Sequence, residues 1–262
     1  MIVQTLASVG VTLVRQPWRA IDLLPLHHQT PTRYRQLLES VAKTVATSDN
    51  ATALGRFDIL FAYCEAPLRL DALVDAPEFR DTFEQAWLAE QRQLSSTDRE
   101  LLGDWPFWGG WFGYFAYEYA QVIEPCLKLP STRHPLAVLQ RFPAAIIVDH
   151  HTQHLLLVAE TAFADRLEQM HADLLAVRAS EADCADSADS ADSLTLLQRV
   201  EQAPQHYLQG VEKIKDYILA SDVFQVNLSR QWQVDLSPDT PPSAVYQQLR
   251  LHNPAPFACL IQ

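Results

Sequence analysis

The clearest pattern of apolar and polar residues lies in the last third of the sequence. From residue 224 to residue 234 the two kinds of side chain alternate, which predicts a β-strand with one apolar face. The other face carries uncharged amides and hydroxyls, and it suits either a solvent-facing sheet surface or the wall of a polar cavity. The flanking segments predict a helix over 204–220, a second helix from Thr240 to Asn253, and a strand over 257–261.

The first 180 residues contain helical and strand patterns in alternation. Aromatic residues four positions apart predict an amphipathic helix over 77–94. Two short runs rich in branched side chains, 144–148 and 155–158, predict an antiparallel hairpin around a polar turn. A helix that is capped by Thr161 and continues to Leu174 is expected to follow.

Three histidines, His150, His151 and His154, lie in the turn of this predicted hairpin. They would form a metal site if their side chains converged, since imidazole is a frequent metal ligand. Neighbouring strand residues point to opposite faces, however, and no cysteine lies nearby to complete a ligand set. A polar turn is therefore the favoured interpretation, and a metal site is the alternative.

An aromatic stretch with three glycines occupies residues 105–119. Gly109, Gly110 and Gly113 would let the backbone bend or approach a neighbouring strand closely. A phosphate-binding loop is the weaker alternative, because no Lys-Ser or Lys-Thr pair follows the glycines. The stretch is therefore predicted to pack into a core at a bend in a sheet.

Composition narrows the classes of function. The 262 residues include 20 Lys and Arg against 32 Asp and Glu, a formal charge of −12, which argues against nonspecific binding to nucleic acid. No apolar run approaches the ~20 residues that span a bilayer, and residues 1–17 lack the pattern of a signal peptide. The 4 cysteines are scattered without metal-ligand spacing, which is typical of a reducing cytoplasm. We therefore expect a cytoplasmic protein that does not enter a membrane.

A repeat of Ala, Asp and Ser interrupts the sequence over 181–195 and is predicted to be a solvated linker. It separates a domain over 1–180 from a piece over 196–262. That piece is too small, and too open at its edge, for an independent core. Because its last predicted strand reaches Gln262, we expect it to be the beginning of a larger domain.

Five short motifs occur one after another along the chain. They are Leu-Leu-Glu-Ser (37–40), Leu-Gly-Arg-Phe-Asp-Ile-Leu (54–60), Phe-Trp-Gly-Gly-Trp-Phe-Gly-Tyr (107–114), the segment 216–230, and Asn-Pro-Ala-Pro-Phe (253–257). In this order they resemble the motifs of the component I proteins of aminodeoxychorismate synthase and anthranilate synthase. Each motif alone is moderately specific, and the ordered set is specific. The Arg-Phe-Asp-Ile and Gln-Val-Asn-Leu-Ser-Arg sequences favour the aminodeoxychorismate branch of this family.

The sequence departs from the family pattern at three places. Ser221 replaces a usual glycine, Glu118 replaces a usual aspartate, and the Ala-Asp-Ser repeat is additional. Ser221 raises the question of whether the turn there still adopts a positive φ angle.

The resemblance implies an α+β fold built from packed antiparallel β-sheets with flanking helices. In that fold, 1–180 corresponds to the N-terminal domain of component I, 181–195 to an additional linker, and 196–262 to the start of the chorismate-binding domain. The family's catalytic Ser-Pro-Glu and Pro-Ile-Lys-Gly-Thr motifs, and its acidic Mg²⁺ ligands, do not occur before Gln262. We therefore expect a truncated component I with no catalytic and no metal-binding residues of its own.

The family's full-length enzyme converts chorismate and ammonia to 4-amino-4-deoxychorismate for p-aminobenzoate and folate biosynthesis. The resemblance implies a glutamine amidotransferase partner that supplies the ammonia, and Mg²⁺ as the cofactor. We expect this chain alone to be inactive. Two alternatives stay open, namely a non-catalytic module that binds tryptophan or docks a partner, and a fragment of anthranilate synthase component I.

The resemblance also implies an amino-acid site, because in relatives a bound tryptophan lies among segments that this chain keeps. The Ser40 hydroxyl would hydrogen-bond the ligand, and proline and phenylalanine would enclose its indole ring. The apolar spacing over 34–41 alone favours a core helix, whereas the family places this segment on a strand and so favours the pocket wall. The expected site residues are Ser40, Leu54, Gly55, Arg56, Phe57, Ala255, Pro256 and Phe257.

Overall fold

The computed structural model describes residues 2–6, 9–17, 21–41, 55–90, 96–184 and 194–262. Contacts divide the chain into two compact units. The first is Met1–Ala188 with Tyr246–Gln262, and the second is Asp189–Val245. The sequence-based boundary at 181–195 kept 196–262 together, whereas the contacts assign 246–262 to the first unit.

The elements are numbered in chain order. The strands are β1 (Ile2–Leu6), β2 (Val11–Pro17), β3 (Tyr34–Glu39), β4 (Phe57–Ala62), β5 (Leu68–Leu70), β6 (Gly110–Phe115), β7 (Ala137–Phe142), β8 (Ala144–Asp149), β9 (His154–Glu160), β10 (Leu196–Glu201), β11 (Trp232–Leu236) and β12 (Ala258–Ile261). The α-helices are α1 (Leu24–Gln29), α2 (Ala76–Glu90), α3 (Ser96–Leu102), α4 (Ala120–Ile123), α5 (Arg166–Cys184), α6 (Pro204–Leu219) and α7 (Pro242–His252).

The first unit is built on an antiparallel sheet with the strand order β1-β2-β9-β8-β4-β3-β12. The predicted hairpin is confirmed as β8 and β9, with Asp149 opposite His154. Both strands are buried along most of their length, because their apolar residues face a core on each side of the sheet. The predicted final strand is confirmed as β12, which joins the sheet edge through β3 with Leu260 opposite Leu37.

Apolar layers cover both faces of this sheet. On one face, Leu26 of α1 and Met170 of α5 belong to the same buried cluster as Ile146. On the other face, Trp105 packs against a cluster that contains Ile147. The first part of the aromatic stretch, 105–108, therefore packs against the core as predicted, whereas Phe115 and Tyr117 are exposed. The α+β architecture of antiparallel sheets with flanking helices is confirmed.

A smaller sheet in the first unit has the order β5-β7-β6. The predicted amphipathic helix is confirmed as α2, and its Phe83 meets Trp111 of β6 edge to face at 5.4 Å. Gly109, just before β6, has a φ of +109°, and a Cβ there would collide with the Glu160 carboxylate. The close backbone approach predicted for the glycine-rich stretch is thus confirmed at this position.

In the second unit, β10 and β11 pair antiparallel with Glu201 opposite Trp232, and α6 confirms the predicted helix. The predicted strand over 224–234 is wrong in its first part, because 222–231 are irregular. β10 offers ladder partners only from Trp232 onwards, so 224–231 have no partner strand among the residues described. The polar side chains of this stretch are mostly exposed, which favours the solvent-facing interpretation over a cavity wall.

Two helices begin later than predicted. The Thr161 N–H donates to the Gly10 carbonyl at 2.7 Å, so this threonine opens a 3₁₀ turn and α5 begins only after it. The Thr240 N–H likewise closes a turn onto the Ser237 carbonyl at 2.9 Å, and α7 begins after that turn. In both cases a turn lies between the threonine and the α-helix, so the threonine does not occupy the cap position. α7 ends just before Asn253, as predicted.

The remaining sequence predictions concern the linker, the cysteines and membranes. Of the linker predicted over 181–195, residues 181–184 belong to α5, and residues 185–193 lie outside the described residues. Cys64, Cys126 and Cys259 are free thiols. Within the described ranges, no helix combines the length and the apolar character needed to cross a bilayer.

Candidate functional site

A cavity of about 500 Å³ opens in the first unit where β3, β4 and β12 lie side by side. Its walls come from four segments of sequence that the sheet and the aromatic stretch bring together. The lining residues are Leu38, Glu39, Ser40, Gly55, Arg56, Phe57, Ile59, Pro106, Phe257, Ala258 and Cys259.

Most of the residues implied by the family resemblance meet in this cavity. Ser40, Phe257 and the segment 55–57 line it. Ala255 and Pro256 precede the lining part of the β12 segment and are not among the lining residues. Leu54 lies outside the described residues. The structure thus brings together residues more than two hundred positions apart in sequence.

The Leu-Leu-Glu-Ser segment belongs to a strand, as in the family, and the helical interpretation of 34–41 is wrong. β3 pairs with β4 on one side, where Leu38 lies opposite Ile59, and with β12 on the other, where Leu38 lies opposite Cys259. A register shift follows Tyr34, which is fully buried together with Leu37. The shift lets apolar residues at irregular spacing share one core, which explains why their spacing resembled a helix.

Ser40 directly follows β3 and is held in place by the adjacent strand. Its backbone N–H donates to Asp58 Oδ1 at 2.9 Å, and its hydroxyl donates to the Phe57 carbonyl at 3.4 Å. The other carboxylate oxygen of Asp58 lies 2.6 Å from His150 Nε2. The serine is nearly buried, with 8% of its surface exposed, so its position is fixed on the cavity wall.

Arg56 places a cation at the rim. Its Nη2 lies 3.0 Å from Asp149 Oδ2 and its Nη1 lies 3.3 Å from Asp104 Oδ2. The guanidinium also lies over the Phe57 ring, 4.6 Å from its centroid. Burial favours the neutral form of Asp149, but hydrogen bonds from Arg56 and from the Thr152 N–H hold the pKa of Asp149 below its ordinary value.

Glu39 adds a carboxylate to the wall, and its partner is a buried arginine of α7. Arg250 Nη1 lies 3.1 Å from Glu39 Oε1 and 2.9 Å from Asp22 Oδ1. Burial raises the pKa of Glu39, and the Arg250 charge opposes that rise. Burial also raises the pKa of the neighbouring Tyr246 hydroxyl. Arg250 thereby connects α7 to β3, the strand that Ser40 follows.

The three histidines of the hairpin turn do not converge. His150 contacts Asp58, the His151 N–H donates to Asp149 at 2.9 Å, and His154 Nδ1 donates to the Thr152 carbonyl at 2.7 Å. Across the described part of the chain, no group of His, Cys, Asp or Glu has the geometry to hold a metal ion. The structure thus shows the predicted polar turn.

Sequence reasoning missed several residues of the cavity. Pro106 lies next to Trp105, whose ring packs 6.1 Å from that of Phe57. The many aromatic residues of the 105–119 stretch indicate core packing. Their spacing does not indicate that the stretch lies over β4. The pairing of Glu39 with Arg250 depends on the docking of α7, which no local pattern encodes.

The arrangement combines flat apolar walls with a charged rim. Phe57, Pro106 and Phe257 offer surfaces for an apolar or aromatic group. Ser40, Glu39 and Arg56 offer a hydroxyl, an anion and a cation around it. Such a site is equipped to bind a small molecule that carries both charges.

Comparison with known proteins assigns the chain to a family. A model of the family described as chorismate binding enzyme matches residues 43–262. The chain is 32% identical over 168 residues to aminodeoxychorismate synthase component 1 of Bacillus subtilis, covering 60% of this chain and 34% of that protein. It is 30% identical over 165 residues to anthranilate synthase component 1 of Cereibacter sphaeroides, covering 58% of this chain and 32% of that protein.

A solved structure is also similar. Anthranilate synthase component I from Streptococcus pneumoniae matches with a TM-score of 0.47 and 19% identity, over 81% of this chain and 48% of that one. The chain spans about a third of the length of the curated relatives it matches. Because the family model covers most of the sequence, the chain belongs to the family of chorismate-binding enzymes.

Proposed function

We propose that this chain is the N-terminal part of an aminodeoxychorismate synthase component I, and that it contributes an amino-acid-binding scaffold to that enzyme. The observation that supports the proposal is the cavity in which Ser40, Arg56 and Phe257 come together. The matched relatives include both an aminodeoxychorismate synthase and anthranilate synthases. The Arg-Phe-Asp-Ile and Gln-Val-Asn-Leu-Ser-Arg motifs favour the first of these branches.

The proposed ligand of the cavity is tryptophan or a similar aromatic amino acid. An indole ring suits the space between Phe57, Pro106 and Phe257, because flat rings pack well on aromatic and proline surfaces. The ligand's carboxylate would pair with the Arg56 guanidinium, whose Nη1 contacts the largely exposed Asp104. The ammonium group would lie near Glu39.

The complete enzyme would convert chorismate and ammonia to 4-amino-4-deoxychorismate, with the ammonia delivered by a glutamine amidotransferase subunit. Mg²⁺ would be required, and its charge would offset the two carboxylates of chorismate. The described residues do not fit that ion, since no cluster of His, Cys, Asp or Glu among them has metal-binding geometry. We therefore assign no catalytic step to this chain.

A second candidate is a non-catalytic module that binds an amino acid or docks a partner. It is favoured by the same cavity, where Ser40, Arg56 and Phe257 of this chain come together. The two candidates agree on the ligand and differ only in whether the chain works within a larger enzyme.

Isothermal calorimetry with tryptophan tests the pocket. We expect saturable binding by the chain, at least tenfold weaker binding by Ser40→Ala, and unchanged binding by the matched surface variant Ser131→Ala, since about 1.4 kcal/mol separates tenfold affinities. Tryptamine, which lacks the carboxylate, should bind more weakly if Arg56 acts as proposed. The absence of heat at millimolar tryptophan would contradict an amino-acid site.

The expected lack of catalytic activity has its own test. The purified chain, incubated with chorismate, Mg²⁺ and an ammonium salt, is expected to form no aminodeoxychorismate. Measurable product, absent from a heat-denatured control, would show that residues of this chain carry out the chemistry.

A further inference from the structure

A second cavity, which shares no lining residue with the proposed amino-acid site, lies beside helix α2 in the first unit. Its volume is about 340 Å³, within the range of small-molecule sites. One wall comes from the 3₁₀ turn Leu73–Asp75 and the first turns of α2, and the other comes from α4 and the segment that follows it. Two lining residues are polar, Arg80 and Gln121, and the apolar ones include Leu73, Pro77, Val122, Pro125 and Leu127.

The wall around α4 is fixed by the side chain of Gln121. Its Oε1 accepts the backbone N–H of Leu129 at 3.0 Å, and its Nε2 donates to the Glu118 carbonyl at 3.3 Å. The neighbouring Val122 packs against the buried cluster that contains Phe79 of α2. These contacts hold the α4 wall against α2, so the cavity exists before a ligand arrives.

Arg80 supplies the charge of this cavity. Its side chain is exposed on α2, and no carboxylate of the described residues pairs with it, including Glu84 one helical turn further along. The nearby exposed Arg69, in contrast, lies 2.8 Å from Asp71. A guanidinium presents parallel N–H donors that match the two oxygens of a carboxylate. The Arg80 side chain is therefore available to an anionic group from outside the protein.

The apolar part of the cavity is open to water. Leu73 and Leu127 are 43% and 40% exposed, and Pro77 and Pro125 add rigid rings to the same surface. A carboxylate without an apolar group would leave these surfaces hydrated. A carboxylate attached to a flat ring would cover them and gain the free energy of apolar burial.

We propose that this cavity binds a small monocarboxylate with an apolar ring, of the arylacetate class. The carboxylate would pair with Arg80, and the ring would lie against Leu73, Val122 and Leu127. A dicarboxylate is less suitable, because Arg80 alone carries a positive charge among the described residues of the lining, and the carboxylates of α2 would repel a second anionic group.

The proposed ligand differs from that of the amino-acid site. Glu39 lines the other cavity and suits an ammonium group, whereas none of the described residues that line this cavity is an Asp or a Glu. The two sites therefore select different ligands, and binding at one does not depend on binding at the other.

A fluorine NMR titration of the full chain with para-fluorophenylacetate tests the site. We expect saturable binding that is at least about tenfold weaker in Arg80→Gln and unchanged in Arg69→Gln. Arg80 is exposed and unpaired among the described residues, so its replacement should leave the fold intact. The neutral analogue para-fluorophenylacetamide should bind at least about tenfold more weakly than the acid. The proposal is overturned by the absence of saturation at millimolar probe, or by equal binding to wild type and Arg80→Gln.

Nuclear Overhauser contacts locate the probe. Its ring protons should contact methyl groups of Leu73, Val122 and Leu127, and an excess of tryptophan should not displace it. Contacts with Leu38 and Ile59 in their place, or displacement by tryptophan, would put the probe in the other cavity and overturn the proposal.

A pair of leucine variants tests the apolar wall. Leu127→Glu places an anion inside the cavity and should weaken probe binding at least about tenfold. Leu88→Glu makes the same change at an exposed position of α2 that does not line the cavity, and it should leave binding unchanged. Equal effects of the two variants would contradict the assigned site.

Discussion

The Asp58 carboxylate accepts the backbone N–H of Ser40 at 2.9 Å, and its second oxygen lies 2.6 Å from His150 Nε2. Asp58 of β4 thereby holds Ser40, which follows β3, and His150, which follows β8. All three groups are largely buried, so solvent does not replace a lost partner. The cavity wall therefore depends on Asp58, although Asp58 itself does not line the cavity.

We expect Asp58→Ala to lower the free energy of unfolding by about 1–3 kcal/mol, because it leaves a buried N–H without its acceptor. Urea unfolding monitored by tryptophan fluorescence measures the change. The control is Asp71→Ala, which removes an exposed carboxylate paired with the exposed Arg69 and should have no measurable effect. An equal loss in both variants would contradict the positioning role of Asp58.

Arg141 joins the two sheets of the first unit. This β7 side chain is almost fully buried, pairs with Glu160 of β9, and lies 2.6 Å from Glu90 of α2. Arg141→Met should cost about 3–5 kcal/mol of stability, because buried carboxylates lose their counter-charge. Adding Glu160→Gln to this variant should recover part of the loss, and an additive further loss would argue against direct coupling. Both changes are measured by the shift of the denaturation midpoint.

Asp149 is expected to make the folding stability of the protein depend on pH in the acid range. Burial opposes ionisation of Asp149, but hydrogen bonds from Arg56 and two backbone N–H groups lower its pKa below the ordinary value of 3.8. A lowered folded-state pKa contributes stability above pH 3.8, and the contribution disappears as the pH falls through the folded-state pKa.

Asp149→Asn should therefore flatten the acid limb of the curve of stability against pH, and it should be less stable than wild type near neutrality. Urea midpoints taken across the acid range measure both effects. Asp104→Asn, at a largely exposed side chain, serves as the control, and its stability near neutrality should stay close to that of the wild type. An unchanged acid limb in Asp149→Asn would show that other groups dominate.

Two glycines with positive φ differ in backbone conformation and in surroundings. Gly109 has φ +109° and faces the Glu160 carboxylate, whereas Gly103 has φ +59° and open space around it. Gly103→Ala should cost about 1–2 kcal/mol from the left-handed backbone alone. Gly109→Ala should cost clearly more, because φ +109° lies outside the left-handed α region and the new methyl group also displaces Glu160. Similar losses in thermal unfolding would contradict this prediction.

Ser221 answers the question raised by its departure from the family pattern. The residue adopts φ +64° just after α6, so serine occupies a conformation that suits glycine better. Ser221→Gly should therefore stabilise the second unit by about 0.5–1 kcal/mol, detected as slower hydrogen exchange in α6. Ala220→Gly, one position earlier with φ −75°, should do the opposite. Destabilisation by both changes would indicate that the Ser221 side chain has a role of its own.

Local patterns predicted elements whose partners lie close in sequence. The β8–β9 hairpin, α2 and α6 followed from periodicity and turn residues, because each satisfies most of its backbone locally. The segment 224–231 failed for the opposite reason, since its pattern describes a pairing that no strand of the described chain provides. The cap predicted at Thr161 was wrong because the 3₁₀ turn Thr161–Phe163 lies before α5.

The candidate site was predictable only in part. The family motifs placed Ser40, Arg56 and Phe257 near one another, and the cavity contains all three. Spacing alone favoured a helix over 34–41. The register shift in β3 lets Tyr34 and Leu37, three positions apart, join the same core, which is the spacing that a helix would show. Pro106 and the Arg250 ion pairs depend on how separate segments dock, and no local pattern carries that information.

β12 closes the cavity from the far end of the sequence. Its pairing with β3 joins residues 258–261 to 36–39, and Arg250 of the preceding helix clamps Glu39. Closing so long a loop has an entropic cost that the empty chain bears alone. A ligand bound in the cavity would contact Phe257, Ala258 and Cys259 only in this docked arrangement, so its binding free energy would add to the stability of the β12–β3 pairing.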